Sequence, residues 1–297
     1  MKKYLIILML ILVPAILMAQ TAGGAVKRPV KKKQTTTTTT TQRSVKKQSV
    51  PPQKKQTEKP RQAAQALSPV LKNLVNNMVR VGGGTFTMGA TAEQGSDAFD
   101  DEKPAHKVTL SSFSIGKYEV TQEEWQAVMG SNPSRQKGAK RPVHGVSWDD
   151  CRQFIRKLNS LTGKNFRFPT EAEWEFAARG GNKSCGYKYA GSQMLDDVGW
   201  YDGNSPSFSY QEVGQLDPNE LGLYDMSGNV WEWCSDRYGS YDSVPQTNPT
   251  GAPSDSIRIF VLRGGCSHHN ERLCRVSTRS SGNHDSTFNS PGLRLAL

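Results

Sequence analysis

The chain has 297 residues with 38 Lys and Arg against 27 Asp and Glu, a net charge of +11, and five cysteines; this length holds one large domain with appendages. Its basicity is local: residues 21–66 carry twelve Lys/Arg and a single acid, Glu58, which leaves 67–297 at −2. That distribution excludes a basic nucleic-acid-binding face on the folded part.

Residues 1–20 read as a secretory signal peptide. Lys2 and Lys3 form the charged start, Tyr4–Met18 the apolar stretch, and Leu17-Met18-Ala19 the approach to cleavage near Gln20. The apolar run is short and broken by Pro14, unlike a membrane anchor. No cysteine follows it, which excludes a lipoprotein anchor, and no other segment is apolar enough to span a bilayer. An exported protein, in the periplasm, at the cell surface or secreted, is expected. Residues 21–66 run through K-K-K-Q, seven threonines at Thr35–Thr41, and repeated Lys, Gln and Pro. Such a segment buries too little apolar surface to offset ordering entropy and is expected to be a disordered spacer. Its charge also suits contact with anionic envelope surfaces, an attraction that salt weakens.

The folded domain is expected over 67–297. Met78–Val81 and Thr85–Met88 flank Gly82-Gly83-Gly84 and predict a hairpin. Further strands are expected at His106–Leu110 and Ser112–Tyr118. Thr121 with Glu124 forms a capping box for a helix through Val128, and Ser147 with Asp150 opens a longer one that Gly163 stops. On that helix Cys151 falls at core spacing with Phe154, Ile155 and Leu158. Thr170 and Glu173 cap a third helix. Its Glu171 and Glu175 are expected on nearly opposite faces, which argues against a paired-carboxylate site and for a role with the helix dipole. Beyond Gly180 the chain is rich in Gly, Asn, Asp, Ser and Pro, so Trp and Arg residues or bound ions must hold it. Five cysteines, Cys151, Cys185, Cys234, Cys266 and Cys274, leave at least one thiol outside any intramolecular disulfide.

Several phrases recur in order: G-G-T-F-T-M-G at Gly83–Gly89, Y-E-V-T-Q-E-E-W at Tyr118–Trp125 and P-V-H-G-V-S-W at Pro142–Trp148. They continue with R-F-P-T-E-A-E-W at Arg167–Trp174, G-L-Y-D-M-S-G-N-V-W-E-W at Gly222–Trp233, R-G-G at Arg263–Gly265 and G-L-R-L-A at Gly292–Ala296. Together they resemble the sulfatase-modifying factor family, founded on the formylglycine-generating enzyme, over roughly Met78–Leu297. The resemblance implies an α+β, C-type-lectin-like fold that is loop-rich with little regular secondary structure.

The resemblance also implies a site. Active relatives place a Ser and then two cysteines after R-G-G; both cysteines hold Cu(I), and the later one captures a substrate cysteine. Here those three positions are Cys266, His269 and Cys274. One thiolate is replaced by an imidazole, a harder partner for Cu(I). Three readings of the cluster stand. Cys274 is a small core residue; or Cys266, His268, His269 and Cys274 form a rearranged copper or zinc site; or Cys266 and Cys274 are bridged by a disulfide. Adjacent His268 and His269 would point to opposite faces of an extended segment. The resemblance further implies Ca²⁺ held by the side chains of Asp225 and Glu232 with the carbonyls of Gly228 and Val230, an oxygen set suited to that ion. The alternative is that Trp231 and Trp233 pack inward while Asn229 and Glu232 bond local backbone. The family's second calcium site is not traceable at 196–205.

Two functions follow. One is a divergent non-catalytic binding or structural module of the cell envelope, its partner a protein or glycan. The other is an oxidoreductase that converts a sulfatase cysteine to formylglycine with copper and O₂, through Cys274, Cys266 and His269. An iron oxidoreductase would need a His-His-carboxylate set, which His268, His269 and His284 do not readily supply.

Overall fold

The computed structural model describes residues 66–253, 258–288 and 291–297. The expected signal peptide, and the spacer up to residue 65, lie outside the described residues. Among the described residues there are five α-helices and eight strands, with long irregular connections, an α+β arrangement. Helices α1 (Pro69–Asn76), α2 (Gln122–Met129), α3 (Trp148–Thr162) and α4 (Glu171–Ala178) each begin at a Ser or Thr side chain that accepts a backbone N–H. In α2, α3 and α4 the capping box is complete, with Glu124, Asp150 and Glu173 returning to the cap N–H. Gly130 and Gly163 end α2 and α3 in the left-handed conformation. Helix α1 went unpredicted; Ser68 caps it and Pro69 opens it. A short α5 spans Leu195–Val198.

The expected hairpin around Gly82–Gly84 does not form. Strand β1 (Met78–Val81) pairs antiparallel with β4 (Phe113–Gly116), whereas β2 (Gly84–Met88) pairs with β3 (His106–Leu110) in a different sheet. The glycines are a crossing point: a Cβ on Gly83 would meet Leu110 O at 2.5 Å and one on Gly84 would meet Asn182 Oδ1 at 2.1 Å. A short β6 (Gln246–Thr247) adds parallel to β3.

A third sheet carries the site. It orders β5 (Glu232–Arg237), β7 (Ile259–Arg263) and β8 (Arg279–Asn283), antiparallel throughout. Side chains alternate across it as the pleat requires. Trp233, Phe260 and Leu262 enter an apolar cluster with α1, α2 and α3, while Cys234 and Val261 enter another beside α4, β2 and β3. Segment Gly292–Leu297 threads between: Gly116 N–H donates to Leu295 O, Val120 N–H to Leu293 O, and Ser114 exchanges bonds with Leu297. Its Leu293 and Leu295 face the first cluster.

Three arginines, Arg263, Arg275 and Arg294, are fully buried, each on a glutamate. Glu171 and Glu175 do not lie on opposite faces. Four residues apart they are offset by only about 40°, and both reach Arg263, while Glu173 takes Arg167. This lattice replaces regular backbone pairing as the cement of a loop-rich half.

Candidate functional site

The loop after β7 turns at Gly264 and Gly265, with φ of 98° and 78°. A Cβ on Gly265 would sit 2.7 Å from Cys274 Sγ and 2.8 Å from Leu273 O, so glycine alone lets Cys274 close against this backbone. Cys266–His269 then form a turn closed by His269 N–H to Cys266 O at 3.0 Å. Because this is a turn and not an extended run, both imidazoles reach one sulfur, contrary to expectation. His269 Nδ1 is 3.4 Å and His268 Nδ1 3.9 Å from Cys266 Sγ.

The chemistry of the pair is muted. The indole N–H of Trp231 donates to His269 Nδ1 at 3.0 Å, which occupies the lone pair facing the sulfur and leaves the proton on Nε2. Burial lowers the pKa of His269 and of His268, which favours the neutral imidazoles. Burial pushes the Cys266 thiol up to about 11. Cys274, fully buried beside Tyr189, Leu195 and Val198, is held well above the ordinary thiol range by burial and by the neighbouring Cys266 sulfur. Reactive thiols need a nearby cation or helix N-terminus to sustain a thiolate; here burial acts against the thiolate at both sulfurs. All five cysteines are free thiols, so no Cys266–Cys274 disulfide is present. Cys151 is fully buried on the core face of α3.

The second constellation lies in the turn before β5. Asp225 and Asn229 adopt left-handed φ of 58° and 57°, with Gly228 at 89° between them. Trp231 and Trp233 pack inward. The polar residues do not bond local backbone as the alternative had it. Asn229 Nδ2 donates to Glu119 Oε2 at 2.7 Å, and Glu232 receives Arg294 and, at 2.7 Å, the indole N–H of Trp174. Glu119, which sequence reasoning missed, also accepts the Val230 N–H at 3.1 Å. Its only sequence signal is a glutamate preceding Val120 in Y-E-V-T, since its partners Asn229 and Val230 lie more than 100 residues away.

Three buried carboxyls thus surround one guanidinium, Arg294. Burial, with Asp225 and Glu232 nearby, raises Glu119 well above the ordinary carboxylate range, and burial raises Asp225 to about 6. Asp225 Oδ2 accepts the Gly214 N–H at 2.8 Å, but its buried Oδ1 has no hydrogen-bond partner. The carbonyls of Gly228 and Val230 accept no hydrogen bond from a described residue. Asp225 Oδ1 and the Gly228 and Val230 carbonyls thus keep unused oxygens among three buried carboxyls and one guanidinium, and such oxygens suit a divalent cation. Glu232 fits less well, since Arg294 and Trp174 already occupy it. Among the described residues no three His, Cys, Asp or Glu side chains converge as a metal set by themselves.

Comparison with known proteins places the chain in a family and a fold. Residues 63–297 fit the sulfatase-modifying factor enzyme 1-like domain. The chain is 36% identical over 220 residues to the chaperone protein LppX of Paenibacillus barcinonensis, covering 58% of this chain and 75% of that protein. It is 31% identical over 306 residues to the formylglycine-generating enzyme of Streptomyces coelicolor, covering 80% of this chain and 94% of that one. Among solved structures, Treponema denticola variable protein 1 superposes with a TM-score of 0.65 at 32% identity, covering 74% of this chain and 94% of that chain. With the ordered motifs and the shared fold, the chain belongs to the sulfatase-modifying factor family.

Proposed function

We propose that this protein is an exported, non-catalytic member of the family that binds a protein or glycan of the cell envelope, its domain tethered by the basic 21–66 segment. One observation carries the reading. Where a copper-binding thiolate is needed, His269 presents a nitrogen already taken by Trp231, while Cys274 is sealed and protonated. The likeness to a relative named as a chaperone supports a binding role. In the test, full-length protein is incubated with Cu(I), O₂ and a sulfatase peptide containing Cys-x-Pro-x-Arg, and aldehyde is sought by mass spectrometry. No aldehyde, with a melting temperature unmoved by copper, is expected; turnover abolished by Cys274→Ser would overturn the reading.

The second reading, formylglycine formation on a sulfatase, draws on the likeness to the Streptomyces enzyme and on the Cys266–His269 approach of 3.4 Å. Bound Cu(I) would activate O₂, which serves as the oxidant. For this chain Cys274 would hold the substrate sulfur, with Cys266 and His269 supplying donors once the Trp231 hydrogen bond opened.

We also assign the Asp225, Gly228 and Val230 oxygens, with Glu232 at the rim, to Ca²⁺. Calcium is expected to raise the melting temperature by several degrees over EGTA, and Asp225→Ala to abolish that shift. A binding term of RT ln(1 + [Ca²⁺]/Kd) gives about 2.7 kcal/mol at a hundredfold excess over Kd. An identical response to EGTA in both proteins would refute the assignment.

A further inference from the structure

A groove of about 530 Å³ opens over α3 and the Phe166–Thr170 segment and shares no residue with the thiol loop or the Asp225 turn. Its floor is apolar: Ile155, Phe166 and Phe168, with the half-buried indole of Trp148. Trp148 is held rigidly, stacked on Phe260 at 4.0 Å and on Phe168 at 4.9 Å between ring centroids. The rim is cationic. Arg167 is spent on Glu173 through two bonds of 2.6 and 2.8 Å, which also neutralises the only acid lining the groove. Arg156 has no ion-pair partner among the described residues. Arg152, about half exposed, reaches Asp149 only at 3.4 Å, and that carboxylate is held more closely, at 2.5 Å, by His284.

An apolar floor of this size with two underused guanidiniums on one edge is complementary to an elongated apolar body ending in one anionic group. Its volume falls in the range of small-molecule sites, about 300–1,000 Å³, and a guanidinium fork matches a carboxylate. The chain's own 21–66 segment, at +11, is the wrong sign to occupy it. We propose that this groove is a binding site for an acyl-chain carboxylate, its chain on Trp148, Ile155, Phe166 and Phe168 and its carboxylate on Arg152 and Arg156. This site lies beyond the envelope-module reading and stands whether or not the thiol loop is catalytic.

The probe is dodecanoate below its critical micelle concentration, titrated into full-length protein by calorimetry, with dodecyltrimethylammonium as the control of opposite charge. Saturable one-to-one binding of dodecanoate, at least tenfold tighter than the cation, is expected. The double variant R152E/R156E should weaken dodecanoate at least tenfold with an unchanged melting temperature, because both side chains are exposed. Bromine-tailed dodecanoate should quench tryptophan fluorescence in the native protein and much less in Trp148→Phe. Equal affinity for anion and cation, no saturable binding, or affinity unaltered by R152E/R156E would each overturn the proposal.

Discussion

Gly265 shows how much a single position decides. Its φ of 78° is strained for any L side chain, and a methyl there would press on Cys274 Sγ and the Leu273 carbonyl. Gly265→Ala is therefore expected to lose roughly 1–3 kcal/mol, by strain and overpacking together, measured by urea unfolding. A variant within about 0.5 kcal/mol of native would mean the loop relaxes easily. Glu175 is another such position: fully buried, it receives Arg263, Arg179 Nε and the Gly89 N–H. Glu175→Ala would leave the buried Arg263 charge half compensated, a loss on the order of 3–5 kcal/mol. A fully folded variant of unaltered melting temperature would show that Glu171 alone suffices for Arg263.

Among the elements, the helices rest on local chemistry and the sheets do not. Ser147 accepts the Asp150 N–H at 3.1 Å and donates to Asp150 Oδ2 at 2.6 Å, so Ser147→Ala should lose about 1 kcal/mol of stability. Equal stability of variant and native protein by denaturant titration would mean water replaces the cap. Such signals span four residues, which is why α2, α3 and α4 were legible from Thr121/Glu124, Ser147/Asp150 and Thr170/Glu173. The same kind of cue stands at Ser68-Pro69, with Leu71 and Leu74 behind it, but α1 is only eight residues long and directly follows the low-complexity segment. Strand partners are different. The Gly82–Gly84 run looks like a turn, yet Met78 pairs with Gly116 and Gly84 with Leu110, choices set by distant residues. The candidate site divides the same way. Cys266, His269, Asp225 and Glu232 were readable from wording alone, whereas Glu119 joins Asn229 across 110 residues and could be found only in three dimensions.

For the molecule as a whole, buried acids of two kinds set the response to pH. Asp236 is raised to about 7, chiefly by burial and by Glu171 beside it. Its protonated form is favoured in the fold, so its contribution is complete below about pH 4 and fades as pH rises through 7. Glu102 and Glu171 go the other way: hydrogen bonds and charge from Arg275 and Arg279 outweigh burial and hold them low. Their stabilisation is present above the ordinary carboxylate pKa and is lost on acidification through the lowered folded value. His144, depressed by burial to about 4, adds to the acid loss as pH falls below about 6.5. Asp236→Asn should remove that loss: relative to native protein it should gain on the order of 3–4 kcal/mol between pH 4 and pH 8. A stability difference flat across that range, in parallel denaturant titrations, would mean that Asp236 is ionised in the fold.

The threading of Gly292–Leu297 bears on when this molecule can become itself. Arg294 donates to the Gly116 carbonyl, 178 positions earlier, and its guanidinium neutralises Glu232. While the polypeptide is still emerging from the ribosome, the cavity meant for that cation is vacant and the carboxyls around it repel one another. Closure must wait for nearly the last codons of the domain.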